Sequence, residues 1–301
     1  MNIFLALTFS GVALGAIYFL AASGLSLIYG LMDILNFAHG LFMTLGAYAA
    51  WDVATHLPPS WGAPWLLGLS VVASIVGGAL AAGLTELLVI RPLYGRPVSQ
   101  ILVTIGLDLA VVGLLLGGFG SGSLTIPVPL WSTEATHVGA VSLPNADFIA
   151  LVAGVVILSV LEWFLRRTRY GIVIRAGVEN REMVSALGIN VARAFTLVFV
   201  IGGAMAGLAG LLYSIVFSGD LVSPTQGDNL LIFAFIVVVI GGLGSVRGSA
   251  VAALLVGLVQ DFTNFYLGGH SGFAEIGNLS VVLLLALVLE WRPRGLFGST
   301  L

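Results

Sequence analysis

The chain has 301 residues, of which 59% are hydrophobic and only 8% are charged, and its mean hydropathy is +1.11. These values lie outside the range of soluble domains and are typical of an integral membrane protein. The net charge of −3 is small and by itself says nothing about partners. We expect no nucleic acid among them. Cysteine is absent, which excludes disulfides, thiolate metal sites and cysteine nucleophiles.

Nine apolar runs predict membrane-spanning helices, because a hydrocarbon core about 30 Å thick needs roughly 20 apolar residues per helix. In chain order they cover about 3–28, 37–52, 64–90, 99–119, 147–166, 194–217, 229–246, 249–267 and 277–291. The N-terminus lacks the features of a removed signal peptide, so we expect the first run to remain as a helix. The sequence thus predicts an all-α, polytopic bundle that forms a single transmembrane domain over residues 1–301.

The first two runs are separated by a polar break that holds Asp33, Asn36 and His39, three residues apart. On a helix these side chains would share one face. A cytoplasmic turn here gives nine spans and an external N-terminus, whereas a re-entrant break gives eight spans. Both interpretations remain open, and non-helical backbone at membrane depth must be buried by protein or line a wet cavity.

Asp108 and Glu86 are acidic residues inside predicted spans. Asp108 lies near the middle of its run, where an ionised carboxylate costs roughly 2.5–3.5 kcal/mol. We expect it to face a cavity, a partner or a neighbouring helix, and an interhelical hydrogen bond would suffice to explain it. An ion-coupled secondary transporter or channel would instead use it for coupling. Glu86 lies near the end of its run and is expected to pair with Arg91 or to be hydrated.

All eleven basic residues are arginines, and they cluster in a few gaps between apolar runs. They are Arg91 and Arg96; Arg166, Arg167, Arg169, Arg175, Arg181 and Arg193; Arg247; and Arg292 and Arg294. Two spans separate each cluster from the next, so all of them can lie on one side. Basic residues in short loops mark the cytoplasmic side, which places the C-terminus in the cytoplasm. The arginine-free loop at about 120–147 is expected to be external.

The longest arginine-rich gap, about 167–193, predicts a short amphipathic helix from about 178 to 187, which Gly188 ends. Met183 and Leu187 lie four residues apart on one face of it. Such a helix either docks in a groove of a partner or lies on the membrane surface. The residues alone leave both possibilities open.

A second break, at 241–248, is rich in glycine and also precedes an apolar run. Interrupted helices at corresponding places in two halves are typical of transporters, although glycine-rich composition alone can produce the same likeness. The chain has no lysine, so a Walker A loop is impossible. No catalytic or metal site is predicted, and uphill transport would draw its energy from an ion gradient or from another subunit.

Several segments together resemble the branched-chain amino-acid (LivH-type) permease family of ABC importers. In the arginine-rich gap and the next run, the matching residues are Thr168, Gly171, Arg175-Ala176, Glu179-Asn180, Ala186-Leu187-Gly188-Ile189, 199–202 and 204–207. Further matches lie at 24–30, 36–40, 241–245 and 292–298. These matches extend over nearly the whole chain.

The resemblance implies a permease fold like that of type II importers, with about 8–9 transmembrane helices, in a bacterial inner membrane. It also implies three kinds of partner: a second homologous permease in a heterodimer, two cytoplasmic ATPases and an external solute-binding protein. ATP and Mg would bind to the ATPases, and this chain would bind no cofactor. Branched-chain amino acids are the implied cargo. Urea, amides, other amino acids and aromatic acids, which relatives carry, remain open.

The same resemblance implies that the helix after Val178 is a coupling helix seated on an ATPase. Its residues would be Glu179, Asn180, Arg181, Glu182, Met183, Ala186, Leu187 and Gly188. Interrupted hydrophobic segments are the best sequence indication of a transport pathway. The pathway candidates are therefore Asn36, His39 and Gly40 in the first break, and Gly241, Gly242 and Gly244 in the second. Asp108 matches no family motif and receives no role from the resemblance.

Overall fold

The computed structural model describes residues 2–32, 35–58, 62–138, 141–179, 183, 191–268 and 276–298. Its helices are α1 (Asn2–Met32), α2 (His39–His56), α3 (Ala63–Thr85), α4 (Pro97–Phe119), α5 (Leu130–Thr133), α6 (Asn145–Arg167), α7 (Arg169–Glu179), α8 (Val191–Val216), α9 (Gln226–Gly241), α10 (Val246–Thr263) and α11 (Ile276–Trp291). The π-helical turns Glu86–Ile90 and Asn264–Gly268 extend α3 and α10, and a 3-10 turn, Arg91–Leu93, follows the first of them.

Each of the nine predicted runs coincides with one of these helices. Within the described residues, six helical segments are long and apolar enough to cross a membrane, and α9 and α11 are shorter apolar helices. This confirms the prediction of an all-helical, polytopic membrane protein. The run predicted over 229–246 ends earlier, because Gly242 takes a φ of 98° and terminates α9.

Two small antiparallel sheets were not expected. Strand β1 (Leu124–Thr125) pairs with β4 (Leu221–Val222), and β2 (Ala135–Val138) pairs with β3 (Val141–Pro144). The first sheet ties the loop after α4 to the loop after α8. The arginine-free loop at 120–147 therefore has regular structure of its own.

The bundle has two distinct ends. At one end, Arg247 at the start of α10 donates from Nε to Glu162 Oε1 of α6 at 3.0 Å. At the other end, α10 contacts α1, where the rings of Phe4 and Phe262 lie 5.4 Å apart. We call the first the arginine end and the second, where the loops carrying β1 and β4 lie, the β end. The N-terminus of α1 lies at the β end.

Glycines allow α2, α3 and α8 to pack with their backbones in contact. A Cβ atom on Gly207 would lie 2.1 Å from the carbonyl oxygen of Ser74. A Cβ on Gly78 would lie 2.2 Å from the carbonyl oxygen of Gly203, and one on Gly46 would lie 2.3 Å from Gly207 Cα. Membrane helices associate through such small residues because lipid supplies no hydrophobic drive between them. The core of the bundle depends on these contacts.

Glu86 lies in the π-helical turn after α3 and is fully buried. It accepts a hydrogen bond from Thr196 Oγ1 at 2.7 Å and another from the hydroxyl of Tyr94. The expectation that Glu86 pairs with Arg91 or is hydrated is therefore wrong. The reason is that α8 covers this turn and brings a hydroxyl donor from a distant part of the sequence.

Candidate functional site

The break between α1 and α2 returns the chain toward the middle of the bundle. His39, the first residue of α2, is fully buried, and its Nε2 lies 3.0 Å from the carbonyl oxygen of Ala21. Because a carbonyl only accepts, Nε2 donates this bond. Ala21 precedes the end of α1 by about 16 Å of helix. Helix α2 therefore begins well inside the bundle and not at the arginine end.

The non-helical residues before α2 are held by protein contacts. Asn36 is buried, and its Oδ1 accepts a hydrogen bond from the backbone N–H of Ala38 at 3.1 Å. The backbone oxygen of Asn36 accepts from the N–H of His39 at 3.3 Å. Such contacts are what non-helical backbone requires at membrane depth. Asp33, in the same break, lies outside the described residues.

Two carboxyl groups meet where α2 begins. Asp108, the central residue of α4, lies close to the Asp228 carboxyl and to the backbone N–H of Leu41. Asp228 belongs to the first turn of α9. We call Asp108 and Asp228 the acid pair. The N-terminal ends of α2 and α9 thus converge on the middle of α4.

The two helix ends are brought together by close backbone contact. A Cβ on Gly40 would lie 3.0 Å from the carbonyl oxygen of Gly227, and the Gly227 N–H donates to Thr44 Oγ1 at 3.1 Å. A helix N-terminus carries free N–H groups and a partial positive charge. The two ends therefore stabilise carboxylates at this depth, where a carboxylate alone would be costly.

The acid pair has an unused capacity to accept hydrogen bonds. Asp108 is only 9% exposed, and its Oδ1 has no hydrogen-bond partner among the described residues. Two adjacent carboxyl groups repel each other when both are ionised, so the pair favours a proton or a cationic group between them. The arrangement suits an ammonium or N–H donor and opposes a carboxylate.

A polar stripe on α4 leads from the arginine end to the acid pair. The buried residues of this helix follow a spacing of three or four and share one face: Gln100, Thr104, Asp108, Val112 and Leu115. The first three are polar. The opposite face is apolar and exposed, with Leu102, Leu109 and Leu114 as examples. Helix α4 therefore buries its polar face in the bundle, where Gln100 donates to the carbonyl oxygen of Leu93 at 2.8 Å and Asp108 lies near α2 and α9.

The structure separates the two predicted sets of pathway residues. Gly40 lies at the acid pair, and Asn36 and His39 fix the start of α2. Gly241, Gly242 and Gly244 lie instead in the turn after α9, at the arginine end. About 21 Å of helix separate Gly227 from Gly241.

The glycines of the second break serve a tight turn. Gly242 and Gly244 adopt φ values of 98° and 79°, which favour glycine. A Cβ on Gly241 would lie 2.5 Å from the carbonyl carbon of Gly248. The C-terminal segment also packs here, because the N–H of Leu296 donates to the carbonyl oxygen of Ile240 at 2.8 Å.

Most of the predicted coupling helix lies outside the described residues. That applies to Asn180, Arg181, Glu182, Ala186, Leu187 and Gly188. Glu179 is the last residue of α7, and Met183 is helical and 62% exposed. Helix α7 itself, which begins at Arg169, was not predicted. It occupies the first part of the segment that the sequence assigned to the coupling loop.

Sequence reasoning missed Asp228, which was not among the predicted site residues. One signal could have found it. Gly227-Asp228 stands directly before an apolar run of about one helix length, where an acid in the first turn is favourable. The partner N–H of Leu41 carries no sequence signal, because every residue except proline has one.

The apolar helices, the second helix that begins inside the bundle and the acid pair together define a polytopic helical membrane protein with a polar junction inside the bundle. Residues 7–289 match the family described as branched-chain amino acid transport system / permease component. The chain belongs to that family of ABC-transporter permeases, which confirms the predicted family.

Relatives of both LivH and LivM type are similar to the chain. It is 28% identical to the high-affinity branched-chain amino acid transport system permease protein LivH of Salmonella typhimurium, over 98% of this chain and 96% of that protein. It is 30% identical to a probable LivH of Methanocaldococcus jannaschii, over 93% and 88%. It is 28% identical to LivM of Escherichia coli, over 94% and 68%. No solved structure was found to match.

Proposed function

We propose that the chain and a second, homologous permease form the membrane pathway of an ATP-driven importer for branched-chain amino acids. Two cytoplasmic ATPases supply the energy, and an external solute-binding protein delivers the substrate. The similarity to both LivH and LivM proteins supports a heterodimer of permeases. The absence of lysine, and so of a Walker A loop, supports ATP and Mg binding on other subunits.

The acid pair is the observation that carries the pathway assignment. The substrate passes Asp108 and Asp228, which accept hydrogen bonds from its ammonium group. Asn36 and His39 hold the start of α2 in place, and Gly40 lets α2 approach α9. This site favours substrates with an ammonium group or amide N–H over aromatic acids, which carry a carboxylate and no cationic group to offset its repulsion. Amides and urea therefore remain the second choice of cargo.

We place the arginine end in the cytoplasm of a bacterium and the β end outside. The chain then crosses the inner membrane nine times, with the N-terminus external and the C-terminus cytoplasmic. The second crossing combines residues 35–38 with α2, which starts at half depth and leaves at the β end. This arrangement accommodates both the cytoplasmic turn and the interrupted helix that the sequence left open.

Cysteine labelling tests the orientation, because the natural chain contains no cysteine. Single cysteines at His56 and Glu134 are expected to react with a membrane-impermeant maleimide added outside spheroplasts. Those at Tyr170 and Phe297 are expected to react only after the membrane is opened. The four side chains are exposed in the structure, so burial does not limit the reaction. The reverse pattern would overturn the orientation.

The coupling helix is tested at Met183. We expect Met183→Asp to lower ATP-driven leucine uptake at least about tenfold, because a carboxylate is costly in a docked apolar groove. The wild-type chain is purified with its associated subunits and reconstituted into vesicles that contain ATP, with binding protein outside. Met183→Leu, which keeps the apolar contact, is the matched control and should retain most of the uptake.

Two results would contradict the proposed function. Full ATP-coupled uptake by Met183→Asp would remove the docking assignment while leaving the importer intact. Purification of the chain without any ATPase, together with uptake that follows the proton gradient, would favour an ion-coupled transporter that uses Asp108.

A further inference from the structure

A cavity of about 610 Å³ opens at the arginine end, between α1, α6, α7 and the turn from α9 to α10. Its interior is apolar and is formed by Leu27, Leu158, Leu165, Ile174 and Val246. The acid pair lies near the opposite end of α9, so this cavity is a separate feature. An interior of branched aliphatic side chains suits a hydrocarbon chain and no polar solute.

The mouth of the cavity carries an excess of positive charge. Three guanidinium groups, those of Arg166, Arg175 and Arg247, surround the single carboxylate of Glu162. That carboxylate is shared, because Glu162 Oε1 lies 2.9 Å from Arg166 and also pairs with Arg247. Within the described part of the chain, no carboxylate forms an ion pair with Arg175. The mouth therefore has a net charge of about +2 at neutral pH.

The cavity lies where the surface of the bundle changes from apolar to polar. The outer face of α6 is exposed and apolar at Val155, Val156 and Val160, and ends in Trp163, which is 61% exposed. Tyr170, the second residue of α7, is exposed as well. Aromatic residues are enriched at the level of lipid headgroups. The arginines of the mouth are therefore at headgroup level, with the apolar interior below them.

We propose that this cavity binds one phospholipid with an anionic headgroup. The phosphate contacts Arg175 and Arg247 at the mouth, and part of an acyl chain lies against Leu158 and Ile174. Basic pockets between helices on the cytoplasmic side suit such headgroups, since each arginine near the surface attracts the anion. The bound lipid bridges α6, α7 and the start of α10, and so braces the segment that leads to the coupling helix. This site does not depend on which substrate is transported.

Native mass spectrometry of the detergent-purified transporter, with all its subunits, tests the site. The probes are dioleoylphosphatidylglycerol, dioleoylphosphatidylcholine and free glycerol 3-phosphate. The wild-type chain is expected to bind phosphatidylglycerol at least about tenfold more tightly than phosphatidylcholine, because only the former has a net negative charge. In the double variant Arg175→Gln, Arg247→Gln, this preference should disappear. Arg169→Gln, on α7 but outside the cavity, is the matched control and should keep it.

A second variant tests the interior. Leu158→Trp narrows the part of the cavity where the acyl chain lies without changing its charge, so the occupancy of phosphatidylglycerol should fall at least about fivefold, as expected when added side-chain volume clashes with a packed group. Size-exclusion profiles identify any variant that does not assemble, and the lipid preference of the wild-type chain is informative even without the variants.

Three outcomes would overturn the proposal. The first is equal binding of the two lipids by the wild-type chain. The second is displacement of phosphatidylglycerol by equimolar glycerol 3-phosphate, which would make the mouth a simple phosphate site. The third is loss of an ATPase subunit from the double arginine variant with lipid binding unchanged, which would assign the mouth to an acidic residue of that partner.

Discussion

Asp108→Asn is expected to lower ATP-driven uptake of leucine by roughly 10- to 150-fold, because a hydrogen bond to a charged group contributes about 1.5–3 kcal/mol. The substitution keeps the size and shape of the side chain but removes its charge. The remaining carboxyl of Asp228 then faces the substrate ammonium alone. The measurement is the initial rate of labelled leucine uptake into vesicles that contain the complete transporter and ATP.

Thr104→Val is the matched control for this prediction. Thr104 lies one turn earlier on the same polar stripe, and among the described residues its hydroxyl bonds only to the carbonyl oxygen of Ile101 in its own helix, at 3.0 Å. Its replacement should change uptake less than about twofold, as for a local side-chain bond that competes with the helix.

Uptake by Asp108→Asn at the wild-type rate would remove the acid pair from the pathway. The same variant also separates the two classes of transporter. If the wild-type chain works without ATP and Asp108→Asn abolishes its response to the proton gradient, Asp108 serves ion coupling.

Gly207→Leu is expected to prevent the chain from folding. The new Cβ would lie 2.1 Å from the carbonyl oxygen of Ser74, so α3 and α8 would have to move apart. Backbone contact between small residues is the main attraction between membrane helices, and overpacking a close interface costs about 1–3 kcal/mol or more. The amount of chain that elutes as a single peak after mild detergent extraction should fall below about a tenth of wild type.

Gly113→Leu supplies the matched control, because no atom lies within 4 Å of a Cβ built at Gly113 on α4. The same side chain is added within a membrane helix in both variants, and only the space around it differs. We expect Gly113→Leu to be extracted at close to the wild-type amount. Equal recovery of both variants would mean that the α3–α8 contact does not hold the bundle together.

The positions of the apolar helices and of both breaks followed from the sequence. Apolar runs of helix length mark the spans because each helix satisfies its own backbone hydrogen bonds in lipid. Their ends were largely given by local signals, as at Gly242, where the chain needs a positive φ. The family was also recognisable from short motifs, and the match over residues 7–289 bears this out. The distribution of arginine predicted which loops lie on the same side of the membrane. This prediction rests on charge alone.

Only the tertiary structure decided which polar groups meet. Asp108 and Asp228 lie 120 residues apart in the chain, and nothing in their neighbourhoods predicts the contact. Glu86 finds its donor at Thr196 for the same reason. A hydropathy pattern indicates which segments are apolar, but it does not indicate which helices touch. The contacts of Asp108 with Asp228 and of Glu86 with Thr196 depend on how the helices cross, and the first of them also depends on the backbone contact between Gly40 and Gly227. The sequence therefore determined the spans and the family, and helix packing decided the chemistry between them.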